Sequence, residues 1–130
     1  MLKKNLILLD TNIFIRFLTA DNDKFYQKAT QIFFDIENDD MHAMILESVF
    51  AEIVFVLEKV YKVSRQEIVD LLMKLLDLKG WRRTNILLYK KALNIYQERK
   101  VDIVDCLLLA FSEIQNIEVK SFDRDIIKYI

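Results

Sequence analysis

The sequence predicts an α/β domain in which a parallel sheet of short strands is covered by helices on both faces. Three observations predict it. Short apolar runs of strand length alternate with longer stretches of helical periodicity. The chain of 130 residues suits one core rather than two. An acid, Asp10, follows the first apolar run directly, at the kind of strand end where open parallel sheets carry their sites.

The elements follow in order. "NLILL" (5–9) reads as a first strand and 12–18 as a helix, with a second helix over 24–37. "MHAMIL" (41–46) is the next strand-length run, and helical periodicity resumes over 47–61. The helix over 65–78 has the clearest start: Ser64 and Glu67 form a capping box, Val63 and Ile68 stand where a hydrophobic staple would, and Gly80 marks the end. "GWRRTNI" (80–86) is a weaker strand, followed by helices over 86–99 and 103–115. "IEVKSF" (117–122) alternates as a strand before a last short helix, "RDIIKYI". No repeat, linker or low-complexity tract divides the chain, so residues 1–130 are read as a single domain.

Composition narrows the function. Nineteen Lys and Arg against twenty Asp and Glu leave a net charge of −1, so nucleic acid would have to be met by a local basic patch. One glycine and no proline exclude a Gly-rich phosphate loop and a dinucleotide fingerprint. The single cysteine, Cys106, and the single histidine, His42, offer no zinc-type cluster, so a metal site would be built from carboxylates. Lys3 and Lys4 precede an apolar run that Asp10 cuts too short for a signal peptide, and Glu52 and Asp105 interrupt the other apolar stretches. The expectation is a soluble, cytoplasmic protein with no membrane partner. At 53% hydrophobic residues and a mean hydropathy of +0.14, some apolar surface is expected to face a partner.

Four acids stand out: Asp10, Glu52, Asp105 and Asp123. Three have a local explanation. Asp10, or Asn12, can cap the first helix; Asp102 with Asp105 resembles a capping box; Asp123 can cap the last helix. Glu52 resists it, because it lies inside its helix, on the border of the stripe formed by Val49, Ile53, Val56, Leu57 and Val60. Lys59 on the same border offers it a surface ion pair. Asp102 and Asp105, three apart on one helix, repel each other, and a bound cation would reverse the sign of that term. Hard divalent ions such as Mg²⁺ or Mn²⁺ take such oxygen ligands.

In order and setting these residues resemble the PIN-domain ribonucleases, and within them the toxin-type (VapC-like) proteins of type II toxin–antitoxin pairs. "LLDTNIFI" resembles the family's opening strand and D-T-N motif, "SVFAEIVFVLEKVY" its glutamate-bearing helix, "VDIVDCLLLAFS" its D-x-x-D helix and "VKSFDRD" its closing strand and aspartate. The resemblance implies a three-layer α/β/α sandwich around a central parallel sheet of four to five short strands. It also implies a Mg²⁺- or Mn²⁺-dependent endoribonuclease that leaves a 5′-phosphate. By position it assigns Asp10, Glu52, Asp105 and Asp123 to catalysis and metal, with Asn12, Asp102 and Ser121 in support. Ser121 stands where the family usually has threonine; Asp125 is a candidate to share the role given to Asp123, and Glu47 is a rival to Glu52.

RNA would need cations near those acids. Arg124, beside Asp123, and Arg16 are the candidates carried forward; Lys59, Arg82 and Arg83 read as surface side chains, and Trp81, which could stack on a base, reads as core. The resemblance further implies a homodimer that binds a cognate antitoxin across exposed helices, for which Phe25, Ile32, Phe33 and Phe34, or Phe50 and Phe55, are candidates. The alternative is a catalytically silent PIN-like binding or assembly module. A receiver- or phosphatase-type domain is disfavoured by the missing D-x-D-x-T motif.

Overall fold

A computed structural model describes residues 5–20 and 23–130; Lys3 and Lys4 of the signal-peptide question lie outside them. Strand β1 (Leu6–Leu8) leads into helix α1 (Thr11–Thr19), and helix α2 (Asp23–Glu37) leads to strand β2 (His42–Met44). Helices α3 (Glu47–Lys59), α4 (Arg65–Leu76), α5 (Ile86–Glu98), α6 (Ile103–Gln115) and the short α7 (Arg124–Ile127) follow. The strands pair in parallel, with Leu6 opposite His42 and Leu8 opposite Met44. This is an α/β fold with a parallel sheet, but the sheet is smaller than the four to five strands expected.

Among the described residues only those two strands form. The run at 80–86 contributes a single parallel bridge, Ala43 with Trp81, made by Ala43 N–H to the Gly80 carbonyl (3.0 Å) and Arg82 N–H to the Ala43 carbonyl (2.8 Å). The run at 117–122 joins no ladder. Its alternation instead buries Val119 with Leu109 and Ile126 in a small second cluster. Period-two patterning records a half-buried extended chain, whereas a strand also needs a neighbour to hydrogen-bond.

Local signals account for the helices. Ser64 Oγ accepts from Glu67 N–H at 3.2 Å, as the capping box requires, and Ile68 is fully buried. Such a cap is worth about 1 kcal/mol. Gly80 has a different role from the one expected: α4 ends at Leu76, and Gly80 does not occupy a left-handed conformation. A Cβ there would stand 2.3 Å from the Met41 carbonyl and 2.8 Å from that of Ile36, so close backbone approach demands glycine.

The core gathers both ends of the chain. Phe14 of α1 packs on Phe33 of α2 at 5.4 Å and on Trp81 at 6.1 Å, while Phe50 of α3 stacks on Tyr89 of α5 at 4.3 Å. Burying each such ring stabilises the fold by about 1.5–3 kcal/mol. Trp81 Nε1 donates to the Leu75 carbonyl at 2.8 Å, which makes it the core residue expected. Cys106 is also buried, and burial pushes its thiol up to about 12, so it packs as a small hydrophobe. Around this core α5 lies on α4 and α6, and α3 lies on α1, α4 and α6. No helix among the described residues is long and apolar enough to cross a membrane.

Candidate active site

The acids are delivered by element ends. Asp10 leaves β1 through Leu9 and caps α1, its Oδ1 accepting from Ile13 N–H at 3.2 Å. With Asn12 and Arg16 it lines a cleft between α1 and α2. Asp123 caps α7, its Oδ1 accepting from Asp125 N–H at 2.8 Å, and Ser121 Oγ in turn accepts from Asp123 N–H at 3.0 Å. Local capping is therefore real for both aspartates, and it engages one carboxylate oxygen of each.

Asp102 behaves differently. It occupies the N-cap position of α6, yet its side chain makes no capping bond, so the capping-box reading of Asp102 and Asp105 is not realised. Asp105, in the first turn of that helix, is half-buried. Burial, and then the charges of Asp123, Asp102 and Asp125, push its carboxyl above the usual range. Three further acids therefore bear on Asp105, one from its own helix and two from the start of α7.

Glu52 faces this group from across a cleft. It lines the space between α3 and α6 together with Asp102 and Asp105, the walls completed by Phe55 and Val104. The structure thus brings Glu52, Asp102 and Asp105 to one cleft and sets Asp123 and Asp125 against Asp105, while Asp10 lines the α1–α2 cleft instead. Among the described residues no three Asp, Glu, His or Cys side chains are grouped so as to hold a metal ion. The chemistry of the donors still fits a hard divalent cation: all are carboxylate oxygens, and their mutual repulsion at Asp105 is a cost that positive charge would relieve.

Sequence reasoning missed a fourth acid in the same cleft, Glu58, and the network that occupies it. Lys59, expected beside Glu52, pairs with Glu58 at 2.8 Å. Arg65 Nε reaches Glu58 at 3.3 Å, and the Tyr96 hydroxyl donates to it. Burial alone would raise the Glu58 carboxyl, but the hydrogen bonds from Lys59 and Tyr96 and the charge of Arg65 hold it below its ordinary value. The Arg65 guanidinium also lies over the Tyr96 ring at 4.1 Å and donates to the carbonyls of Tyr96, Arg99 and Val101 at 3.0, 3.0 and 2.8 Å. It caps the end of α5 and ties down the link that delivers Asp102. The sequence signal was available only in part: an arginine directly after an N-cap serine does not announce a partner thirty residues away.

Other candidates resolve by position. Arg82 is committed to the fold, donating to the Lys79 and Trp81 carbonyls at 2.7 and 3.0 Å and to Asp39 at 3.0 Å. His42, for which no partner was expected, stands 2.9 Å from Asp39 and 3.1 Å from Arg82. Arg16 lies over the Phe25 ring at 5.6 Å, and Arg124 opens α7 on the surface beside Asp123. Glu47 sits in the first turn of α3, where the dipole favours it; its charge and, above all, burial push the Tyr89 hydroxyl up to about 12. Of the candidate interface rings, Phe33 and Phe50 are core, whereas Phe25, Phe34 and Phe55 are exposed.

A short parallel sheet clothed in helices, with acids at the end of β1, inside α3 and at the starts of α6 and α7, is the arrangement of a carboxylate-based PIN domain. The PIN domain family model matches residues 7–130, and the chain belongs to that family. It is also similar to the VapC ribonuclease of Aquifex aeolicus (strain VF5), with 27% identity over 118 residues that cover 90% of this chain and 87% of that protein. No solved structure matches it.

Proposed function

We propose that this protein is a metal-dependent endoribonuclease and the toxin of a toxin–antitoxin pair. The observation that carries the reading is the convergence of Glu52, Asp102 and Asp105 on one cleft, with Asp123 bearing on Asp105, in a PIN domain similar to a VapC ribonuclease. Asp105, Asp123, Glu52 and Asp10 are the residues that would hold Mg²⁺ or Mn²⁺. Bound there, the ion would supply positive charge against phosphoryl oxygens and would lower the pKa of a water, the chemistry that phosphodiester hydrolysis to a 5′-phosphate requires.

The chain's own residues do the rest. Asp102, free of capping, adds negative charge beside Asp105, and Ser121 orients Asp123 through its backbone N–H. Asn12 stands next to the Asp10 carboxylate in the α1–α2 cleft. Glu58 is engaged by Arg65, Lys59 and Tyr96, which leaves Glu52, Asp102 and Asp105 as the acids of this cleft not committed to that network. Arg16 and Arg124 contact the RNA backbone.

Partners follow from the exposed apolar surface. Val104, Leu108 and Phe111 of α6 form a groove against Ala51 of α3, continuous with Phe55. In this reading that face and the exposed ring of Phe34 serve homodimer formation and the cognate antitoxin, and the protein works in the cytoplasm. Purified protein is expected to cut RNA with Mg²⁺ or Mn²⁺ and to stop in excess chelator; cutting that persists in chelator refutes the mechanism. The second reading, a silent PIN-like binding module, is favoured by one observation, the absence of a three-residue metal-holding group among the described residues. Calorimetric titration with Mn²⁺ separates the two, since a silent module binds no ion that Asp105→Asn releases.

A further inference from the structure

Glu52 belongs to α3, whereas Asp102 and Asp105 belong to the start of α6, so the spacing that a cation meets in the acid cleft is a spacing between two elements. One side chain from a third element touches both. Arg65 opens α4, which carries none of the proposed metal ligands. Toward α3, its Nε stands 3.3 Å from Glu58, about 9 Å along the helix axis from Glu52. Toward α6, its Nη1 donates to the carbonyls of Tyr96, Arg99 and Val101 at 3.0, 3.0 and 2.8 Å, the last of these in the residue before Asp102. The Tyr96 ring lies under the guanidinium at 4.1 Å, and its hydroxyl donates to the same Glu58. Gln97 adds a tie from α5 to α4, its Nε2 donating to Gln66 Oε1 at 2.6 Å. The side-chain cap that usually fixes the entry to a helix is missing at Asp102, and Arg65 holds that entry from outside.

We propose that Arg65 is a positioning residue of the metal site: by joining Glu58 of α3 to the backbone that leads into Asp102, it sets the distance across which Glu52 faces Asp102 and Asp105. The inference rests on the metal-dependent ribonuclease reading. In this role Arg65 touches neither the ion nor the RNA. A planar fork suits the task, because it fixes direction as well as distance between the groups it joins. The other partners of Glu58 do not duplicate it. Lys59 reaches Glu58 from the neighbouring position of the same helix and so ties α3 only to itself. The Tyr96 hydroxyl ties α5 to α3 but leaves the carbonyls of Arg99 and Val101 to Arg65.

The test uses the full chain. Spin labels are placed through Phe55→Cys and Val104→Cys, positions on the two walls of the cleft that are 56% and 63% exposed, while Cys106 is buried and takes no label. Distances across the cleft are read by pulsed electron paramagnetic resonance in chelator, with excess unlabelled chain so that they are measured within one molecule. Mn²⁺ affinity is read by calorimetry on the unlabelled chain, well below each variant's Tm. Arg65→Met is expected to broaden the distance distribution about twofold and to weaken Mn²⁺ binding about tenfold. Arg65→Lys keeps the charge but not the fork; it is expected to weaken Mn²⁺ binding about threefold, and it carries the test if Arg65→Met does not fold. Arg82→Ala takes a guanidinium from two carbonyls outside this cleft, and is expected to lower Tm while leaving Mn²⁺ affinity within about twofold. If the Arg65 variants lose Tm but keep the distances and the Mn²⁺ affinity of wild type, Arg65 is structural only: the inference is overturned and the ribonuclease reading stands. Broadened distances without weaker Mn²⁺ binding, or the reverse, also overturn it. If wild type binds no Mn²⁺, the inference and the reading fall together.

Discussion

The cleft that holds Glu52 and Asp105 and the cleft that holds Asp10 are electrostatic opposites. The α3–α6 cleft sets Glu52, Glu58, Asp102 and Asp105 against Lys59; the α1–α2 cleft sets Arg16 and Lys28 against Asp10. Carboxylates dense enough to hold a cation repel phosphate until that cation is bound. Carboxylates therefore dominate one cleft, whereas in the other Asp10 stands among basic side chains. Within the acid cleft a further division separates Glu58, paired and lowered, from Asp105, crowded by like charge and raised.

The strongest way to break this comparison is Asp105→Asn. In the proposed function it lowers the RNA cleavage rate at least a hundredfold, read in a Mg²⁺-dependent assay. It also carries an opposite signature in stability. Because folding raises the Asp105 carboxyl, its charged form costs stability above the folded pKa, and that cost is relieved as pH falls. Asp105→Asn is therefore expected to melt higher than wild type at neutral pH in chelator, with the gap closing toward acid. A lower melting temperature at neutral pH would show that repulsion does not dominate at Asp105.

The next effect comes from the brace. Arg65→Met removes three carbonyl bonds and one of the partners of Glu58, which keeps Lys59 and Tyr96, with an expected loss of about 2–3 kcal/mol in urea unfolding. Arg65→Lys recovers the charge and not the fork, so it is expected to recover only part of the loss. The lowered Glu58 carboxyl contributes stability that is present above its unfolded pKa and lost as pH falls through the lower folded one. Glu58→Gln should flatten the acid side of the stability profile; an unchanged slope would remove Glu58 from the brace.

Smaller effects sharpen the cationic side. Arg124→Ala is expected to reduce the slope of log affinity for RNA against log salt by about 0.7, the value for one phosphate on a single strand. Arg82→Ala, whose guanidinium is spent on Asp39 and two carbonyls, is expected to leave RNA affinity within about twofold while lowering stability by about 1 kcal/mol. A large loss of RNA affinity in Arg82→Ala would show that the RNA contacts extend beyond Arg16 and Arg124.

Much of this architecture is written in short-range terms. The helix read over 103–115 is α6, Ile103–Gln115, and that read over 65–78 is α4 with its Ser64 cap in place. The four motif acids could be named before their surroundings were known. The sheet was less legible: "IEVKSF" has the alternation of a strand, yet it joins no ladder among the described residues. Phe33 and Phe34 are adjacent letters of the same kind, yet one is 2% exposed and the other 59%.

Caps, helix periods and the roster of acids depend on residues within about four positions of one another, and a linear chain states those outright. Which acid meets which is another matter. That Glu52 shares a cleft with Asp102 and Asp105, that Glu58 is claimed by an arginine from the next helix, and that Asp10 opens onto Lys28 and Phe25 all depend on how the helices cross. Crossing geometry is a product of the packed core as a whole, so only the folded molecule could decide them.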